Sequence, residues 1–453
     1  MASVASVESA PSQTGERTGI GSRPWFVVTV LSIAAIVAYI DRQIITLLVE
    51  PIKADLGASD VQMSLLMGIS FALFYAVLAI PIAWVADHRS RKMVILVGIV
   101  CWSVATFVSG LAGVFLLLFI ARMFIGVGEA TLSPAGFSII SDYFSKEKLP
   151  GPISVFTGSG FVGSGLALIL GGYLYATLAE MGPTTLPFGT LEPWQLTFIC
   201  VSMLSVPLFL LMLIIKEPVR KHSDEEKEQA AAPASFEVAG FVRKHASVFL
   251  PLFLGFSFLA AAQYGLGAWA PSYFIRVHGW TQLDVGQMFG PVLLVAGPVG
   301  VISGGFLAEG LLARGMSDAT LRVPMIAALA ALPFAIAFPL VSLPLMALGC
   351  LGIVTLLGTI PFGAGIATFP LITPNRMRAQ VMAFYLLVAN LFSYSAGPLF
   401  IGWLTDEVFG DEKAINLSLA VAPPITIALG ALLILLAIRP YRAMADTQST
   451  GEM

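Results

Sequence analysis

Charge is what this chain has least of. Only 11% of its 453 residues are Asp, Glu, Lys or Arg, against about 25% in an average soluble protein. So few charges cannot cover a water-exposed surface, which excludes an ordinary soluble globular protein. The net charge of −3 is too small to argue for a nucleic-acid partner, and none is expected. Histidine occurs four times, at His88, His222, His245 and His278, with no two at metal-binding spacing. The three cysteines, Cys101, Cys200 and Cys350, lie far apart in apolar runs. They form neither a disulfide framework nor a metal site and are expected as small core residues. Neither a zinc-protease H-E-x-x-H nor a nucleotide-binding GK[ST] loop occurs, so an enzyme and an ATP-driven pump are both disfavoured. The opening residues are polar and small, with no apolar stretch leading to a small-residue cleavage site. No removable signal is expected there.

What the chain has in abundance is hydrocarbon: 57% of residues are hydrophobic and the mean hydropathy is +0.89. A bilayer-spanning helix needs about 20 mostly apolar residues. Twelve such windows are read, near 25–49, 61–86, 93–112, 114–141, 151–178 and 194–215, then 246–275, 283–312, 322–341, 343–368, 378–408 and 416–438. The expected fold is therefore an all-α, multi-pass membrane protein of two six-helix bundles related by a pseudo-two-fold axis. Its expected divisions are a tail 1–24, a bundle 25–215, a charged linker 216–243, a bundle 244–440 and a tail 441–453. With the amino terminus inside, nineteen of the 24 Lys and Arg residues fall in inner segments. Lys53, Arg276 and Lys413 fall outside, and Arg42 and Arg122 lie within spans. This asymmetry predicts both termini in the cytoplasm, in the plasma (inner) membrane if the source is bacterial. A weak internal echo, AWVADHRSRK at 83–92 and GFLAEGLLARG at 305–315, supports duplication. Duplicated halves around a central cavity are how many secondary transporters are built.

Several motifs carry a family resemblance over nearly the whole chain. The loop after the second helix places Asp87, Arg91 and Lys92 as in the major facilitator superfamily, and RMFIGVGEA matches its fourth-helix pattern at Arg122, Gly126 and Gly128. Tyr39-x-Asp41-Arg42, with Gly126-x-Gly128-Glu129-Ala130 and Pro134, resembles the Spinster branch more narrowly. That resemblance implies a transporter that works by alternating access and moves lysophospholipids or phosphorylated sphingoid bases with protons as coupling ion. No other cofactor is expected. The glycine-rich GSGFVG at 158–163 satisfies a dinucleotide pattern by letter, but it lies within an apolar helix and reads as helix packing.

Asp41 and Arg42 pose the central question. A charge at the bilayer centre costs about 2.5–3.5 kcal/mol even on a lenient scale, so it must pair or line water. Arg122, Gly126 and Glu129 follow i, i+4, i+7 and share one helix face. The expected arrangement pairs Asp41, Arg122 and Glu129 between the first and fourth helices, leaving the Arg42 guanidinium to an anionic substrate. Glu129 is the first choice of proton carrier and Asp41 the second. Tyr39 with Gln263, Tyr264 and Asn390 would complete the substrate site. Asp87 and Arg91, four apart, would latch the inner side by pairing with the facing half or a helix end. Ser59 or Asp60 would cap the second helix, or Asp60 would act at the outer gate and meet Arg42 in one transport state. An ionic first half facing an apolar to aromatic second half suits an amphipathic anion. The alternative is a proton symporter for a small organic anion, such as a sugar acid or aromatic carboxylate. A monomer surrounded by membrane lipid is expected in either case.

Overall fold

The computed structural model describes residues 23–145, 148–186, 189–218, 220, 235–374 and 376–449. Among them, twelve helices are long and apolar enough to cross a membrane. They are α1 (Pro24–Leu47), α2 (Asp60–His88), α3 (Arg91–Ser109), α4 (Phe115–Tyr143), α5 (Gly151–Met181) and α6 (Pro193–Ile214). The second half adds α7 (Ala246–His278), α8 (Gln282–Leu312), α9 (Ala319–Ala337), α10 (Pro344–Ile372), α11 (Gln380–Phe409) and α12 (Glu412–Ala445). Every expected window has its helix. The ends differ where polar residues extend a helix past its apolar stretch, as at His278 and at Glu412.

Local chemistry explains the boundaries. Ser59 caps α2 in a reciprocal capping box with Gln62, accepting from the Gln62 amide at 3.2 Å while the Gln62 side chain accepts from the Ser59 amide at 2.9 Å. Ser90 caps α3 by accepting from the Met93 amide at 3.2 Å. The α4 helix pauses after Glu129, where the Thr131 hydroxyl donates to the Gly128 carbonyl at 2.7 Å. Short helices Val49–Leu56 and Ser235–Lys244 and a hairpin, Thr184–Leu186 with Gly189–Leu191, decorate the ends. Much of the expected linker, residues 221–234, lies outside the described residues.

The halves repeat one packing scheme. In the first, α1 packs on α5, α2 on α4 and α3 on α4. In the second, α7 packs on α11, α8 on α10 and α9 on α10. The halves meet where α5 crosses α8 and α2 crosses α11. Small residues permit those crossings: a Cβ added at Gly286 of α8 would lie 2.4 Å from the Leu168 carbonyl oxygen of α5. Gly126 does the same inside the first half, where a Cβ would come 2.6 Å from the Phe71 carbonyl oxygen of α2.

Outward faces are apolar. Ile80, Leu116, Phe306 and Leu345 are each more than 60% exposed, an arrangement stable against acyl chains and unstable against water. Cys200 belongs to that exposed surface, and Cys101 and Cys350 are only partly buried. The expectation of three core cysteines is therefore corrected: a thiol is apolar enough to face lipid as well as a core.

Candidate functional site

Successive side chains on a helix diverge by about 100°, since 3.6 residues complete a turn. Asp41 and Arg42 therefore cannot both face the centre of the molecule. Asp41 is fully buried toward α3 and α4, near Thr106 and Arg122. Arg42 turns inward and is the hub of the site. Its Nη2 and Nε donate to one oxygen of Glu129, Oε2, at 2.5 and 3.2 Å. Its Nη1 donates across the molecule to the Tyr394 hydroxyl of α11 at 2.9 Å. Four aromatic rings surround the guanidinium: Phe71 at 4.1 Å, Tyr39 at 4.6 Å, Tyr75 at 5.2 Å and Tyr394 at 5.5 Å from its carbon to each centroid. Such faces attract a cation and displace the water that would otherwise solvate it.

This pairing corrects the expected one. Glu129 engages Arg42, not Arg122. Arg122 donates instead to main-chain oxygens, those of Asp41 at 3.1 Å and Arg42 at 3.3 Å. It grips the α1 backbone from α4. The Asp41 carboxyl lies beside the Thr106 hydroxyl, and among the described residues Glu129 Oε1 and Arg122 Nε have no hydrogen-bond partner. Asp41 and Arg122 are 0% exposed and Glu129 is 2% exposed. Buried polar atoms left unpaired cost about 1–3 kcal/mol each and more when charged, which makes this cluster the candidate site.

The second half contributes less than expected to this centre. Tyr264 stacks on Tyr394, ring centroids 3.8 Å apart at 29°, and so backs the hydroxyl that Arg42 reaches. Gln263 turns away toward α10, where its amide donates to the Thr355 carbonyl at 3.4 Å and its side chain packs against Gly358. Asn390 is half-buried on α11. Phe71 and Tyr75 escaped sequence reasoning, because two aromatics four apart in an apolar helix look like packing. The 158–163 motif acquires a role here: Gly160 and Gly163 let α5 close on the Tyr39 ring and the Ile36 carbonyl.

A second charged cluster closes one end of the molecule. Asp60, 0% exposed, accepts two bonds from the Arg276 guanidinium of α7, at 2.6 and 2.8 Å. It also pairs with Lys53. Arg276 donates to Glu50 at 2.8 Å, Lys53 to Glu412 at 2.8 Å, and the Val61 amide to Asp406 at 2.7 Å. Glu50, Lys53 and Asp60 come from the first half, and Arg276, Asp406 and Glu412 from the second. Asp60 therefore does not reach toward Arg42, and it does not cap α2, a task Ser59 performs; it anchors an ion network between the halves. Deeper, Gln43 donates to the Gly267 carbonyl at 3.1 Å and Ser64 to the Pro398 carbonyl at 2.9 Å.

At the opposite end, Arg91 does not reach the facing half. Asp87 ends α2 exposed to solvent, while Ser90 starts a new helix at Arg91. Arg91 pairs with Asp142 and Glu217 and donates to the Ser138 hydroxyl at 2.9 Å and the Pro218 carbonyl at 3.0 Å. All these partners belong to the first half or the chain leaving it. Arg220 continues the strap, donating to the Ala86 carbonyl at 2.6 Å and the Arg89 carbonyl at 2.8 Å.

Burial alone would raise the Glu217 carboxyl, but Ser90, the Arg91 amide and the Arg91 guanidinium outweigh it and hold the group below its ordinary value. A carboxyl depressed by folding stabilises above its unfolded pKa, about 4.3, and loses that contribution as pH falls through the lower, folded value. The Arg91–Met93 amides should thus exchange hydrogen faster in Glu217→Gln than in the unmodified chain near neutrality. That difference should vanish in acid; equal exchange at every pH would show that the strap contributes nothing.

The chain matches the Major Facilitator Superfamily model over residues 31–390. It is 27% identical over 404 residues to an MFS-type efflux pump of Mycolicibacterium smegmatis, covering 86% of this chain and 87% of that protein. It is 26% identical to Protein spinster of Drosophila melanogaster over 86% of this chain and 63% of that one, so it spans less than two thirds of the latter's length. A solved structure, described as a bacterial homolog to the human lysosomal transporter Spinster in an inward-facing and unoccupied conformation, superimposes with a TM-score of 0.77. It shares 25% identity and covers 96% of this chain and 98% of its own. Twelve helices, duplicated packing and these matches agree: the chain belongs to the major facilitator superfamily as an integral membrane transporter, and within that family it resembles the Spinster type.

Proposed function

We propose that this transporter couples protons to the movement of an amphipathic anion by alternating access. The observation that carries the reading is the sharing of one guanidinium. Glu129 holds two of the Arg42 donor groups through a single oxygen, so an anionic headgroup and the Glu129 carboxylate compete for the same cation. Protonating Glu129 removes the competitor, and linkage then requires that anion binding draw a proton in. Arg suits a phosphate or carboxylate head because its planar fork can meet two oxygens.

Charge asymmetry supports an orientation with both termini cytoplasmic, which puts the Arg276 cluster at the outer face. The bonds bridging the halves gather between Arg42 and that rim, the pattern of a molecule closed outside and open inside. One chain contains both halves and every member of the site, so it is proposed to act as a monomer within membrane lipid.

Tail accommodation falls to the second half. That half carries the aromatic pairs Tyr264 with Phe362 and Phe258 with Phe392, at centroid distances of 6.3 and 5.0 Å. Mouse sphingosine-1-phosphate transporter SPNS2, 27% identical over 54% of this chain, is named for such a substrate. A second reading, a small organic anion, is favoured by the probable L-galactonate transporter of Escherichia coli, 24% identical over 63% of this chain. Purified protein in proteoliposomes under an imposed pH gradient separates them. Sphingosine-1-phosphate and oleoyl-lysophosphatidylglycerol are expected to move at least about tenfold faster than in protein-free vesicles, with L-galactonate at background. Galactonate movement without lipid movement would install the second reading.

A further inference from the structure

We propose that Tyr394 is the positioning residue through which the charge state of the Arg42–Glu129 pair is transmitted to the second half of the transporter. The proposal rests on the reading of that pair as the proton site. Tyr394 touches three structural partners at once. Its hydroxyl accepts from Arg42 of α1 at 2.9 Å. Its ring lies stacked on Tyr264 of α7 and edge-on to Phe71 of α2, at 3.8 and 6.1 Å. Its carbonyl oxygen sits where a Cβ on Gly68 would come within 2.4 Å, at the point where α2 breaks into two helical pieces. The side chain is only 8% exposed, so its hydroxyl has little water to exchange for the guanidinium.

The groups facing the pair are few. Tyr39 and Asp41 come from α1, Tyr75 from α2, Arg122 from α4, and Tyr264 and Tyr394 from the second half. From α5, Gly160 and Gly163 close on Tyr39 and Ile36. Arg122 is committed to main-chain oxygens, and the Tyr39 and Tyr75 rings offer their faces. When Glu129 carries a proton, it offers Arg42 a neutral group in place of an anion. The bond from Nη1 to Tyr394 then holds a guanidinium with no carboxylate facing it, and the link between α1 and α11 tightens. When Glu129 is ionised, the guanidinium is drawn back to α4 and the link slackens. Gln43 also crosses between the halves near this depth, but it is uncharged and ends on a carbonyl, so protonation leaves it unchanged.

Pulsed electron-electron resonance on the full-length transporter in nanodiscs tests this without a known substrate. Spin labels go on exposed Glu180 and Lys413, each changed to Cys in a variant lacking Cys101, Cys200 and Cys350. Between about pH 8 and pH 5 the ratio of rim-closed to rim-open distances should change at least about tenfold in the parent. In Tyr394→Phe, which keeps both ring contacts and loses the acceptor, the change should shrink below about threefold. Tyr394→Gln, which restores an acceptor without the ring, should recover part of the response. A full response in Tyr394→Phe, or a flat one in both variants, overturns the assignment in favour of ring packing or no role. Glu129→Gln separates the two levels: a full pH response there overturns the proton-site reading itself, whatever Tyr394 does.

Discussion

Replacing Glu129 with glutamine is expected to abolish uptake driven by a pH gradient while leaving a folded protein that binds its anion more tightly. The amide is close in size to the carboxylate and its oxygen can still accept from Arg42, but it cannot ionise. A hydrogen bond to a charged group contributes about 1.5–3 kcal/mol, and the carboxylate form of Glu129 uses two such bonds to hold Arg42 away from a ligand. Freed of that competition, Arg42 should bind oleoyl-lysophosphatidylglycerol at neutral pH about tenfold more tightly or better, at 1.4 kcal/mol per tenfold. Affinity should also become independent of pH. Proteoliposome uptake and isothermal titration on the same preparation read the two effects. If gradient-driven uptake persists in this variant, the proton travels elsewhere, and Asp41 becomes the next group to replace.

Arg276→Ala is expected to open the outer rim. Removing one partner of a buried ion pair costs about 3–5 kcal/mol because the other charge stays behind unpaired. Here Lys53 still neutralises part of Asp60 and Glu50 can turn to water, so about 2–3 kcal/mol is expected. At 1.4 kcal/mol per tenfold this moves the balance of rim-closed to rim-open molecules by about 30- to 150-fold. The Glu180–Lys413 label pair would report it directly, and Asp60→Asn should act in the same direction. An unchanged distance distribution in both variants would show that α5 against α8 closes this side without help from charge.

Some of this was legible before any coordinates and some was not, for definite physical reasons. Twelve spans could be read because hydrocarbon thickness imposes a length that apolar runs must meet. Asp41, Arg42, Arg122 and Glu129 stood out because ions in lipid are costly. Their pairing did not, since a helical pitch tells which side chains diverge and not which neighbour each one finds. Arg276 was counted as a loop charge for orientation. Its partner Asp60 lies 216 residues earlier, and nothing local in the sequence joins them. Arg91 was read as part of a latch to the facing half, but here it is held by Asp142 and Glu217 of its own half, and nothing local in the sequence shows that the chain leaving α6 returns to it. Tyr394 belongs to no motif, and nothing local in the sequence shows that α11 crosses α2 so that its hydroxyl meets Arg42.

Arg122 holds peptide oxygens, not side chains. Amide carbonyls keep the same dipole at every pH a cell encounters, so that fastening is deaf to the chemistry next to it. If the proposed coupling holds, Arg42 and Glu129 part and rejoin on each turnover while the stretch of α1 that carries Arg42 stays moored to α4.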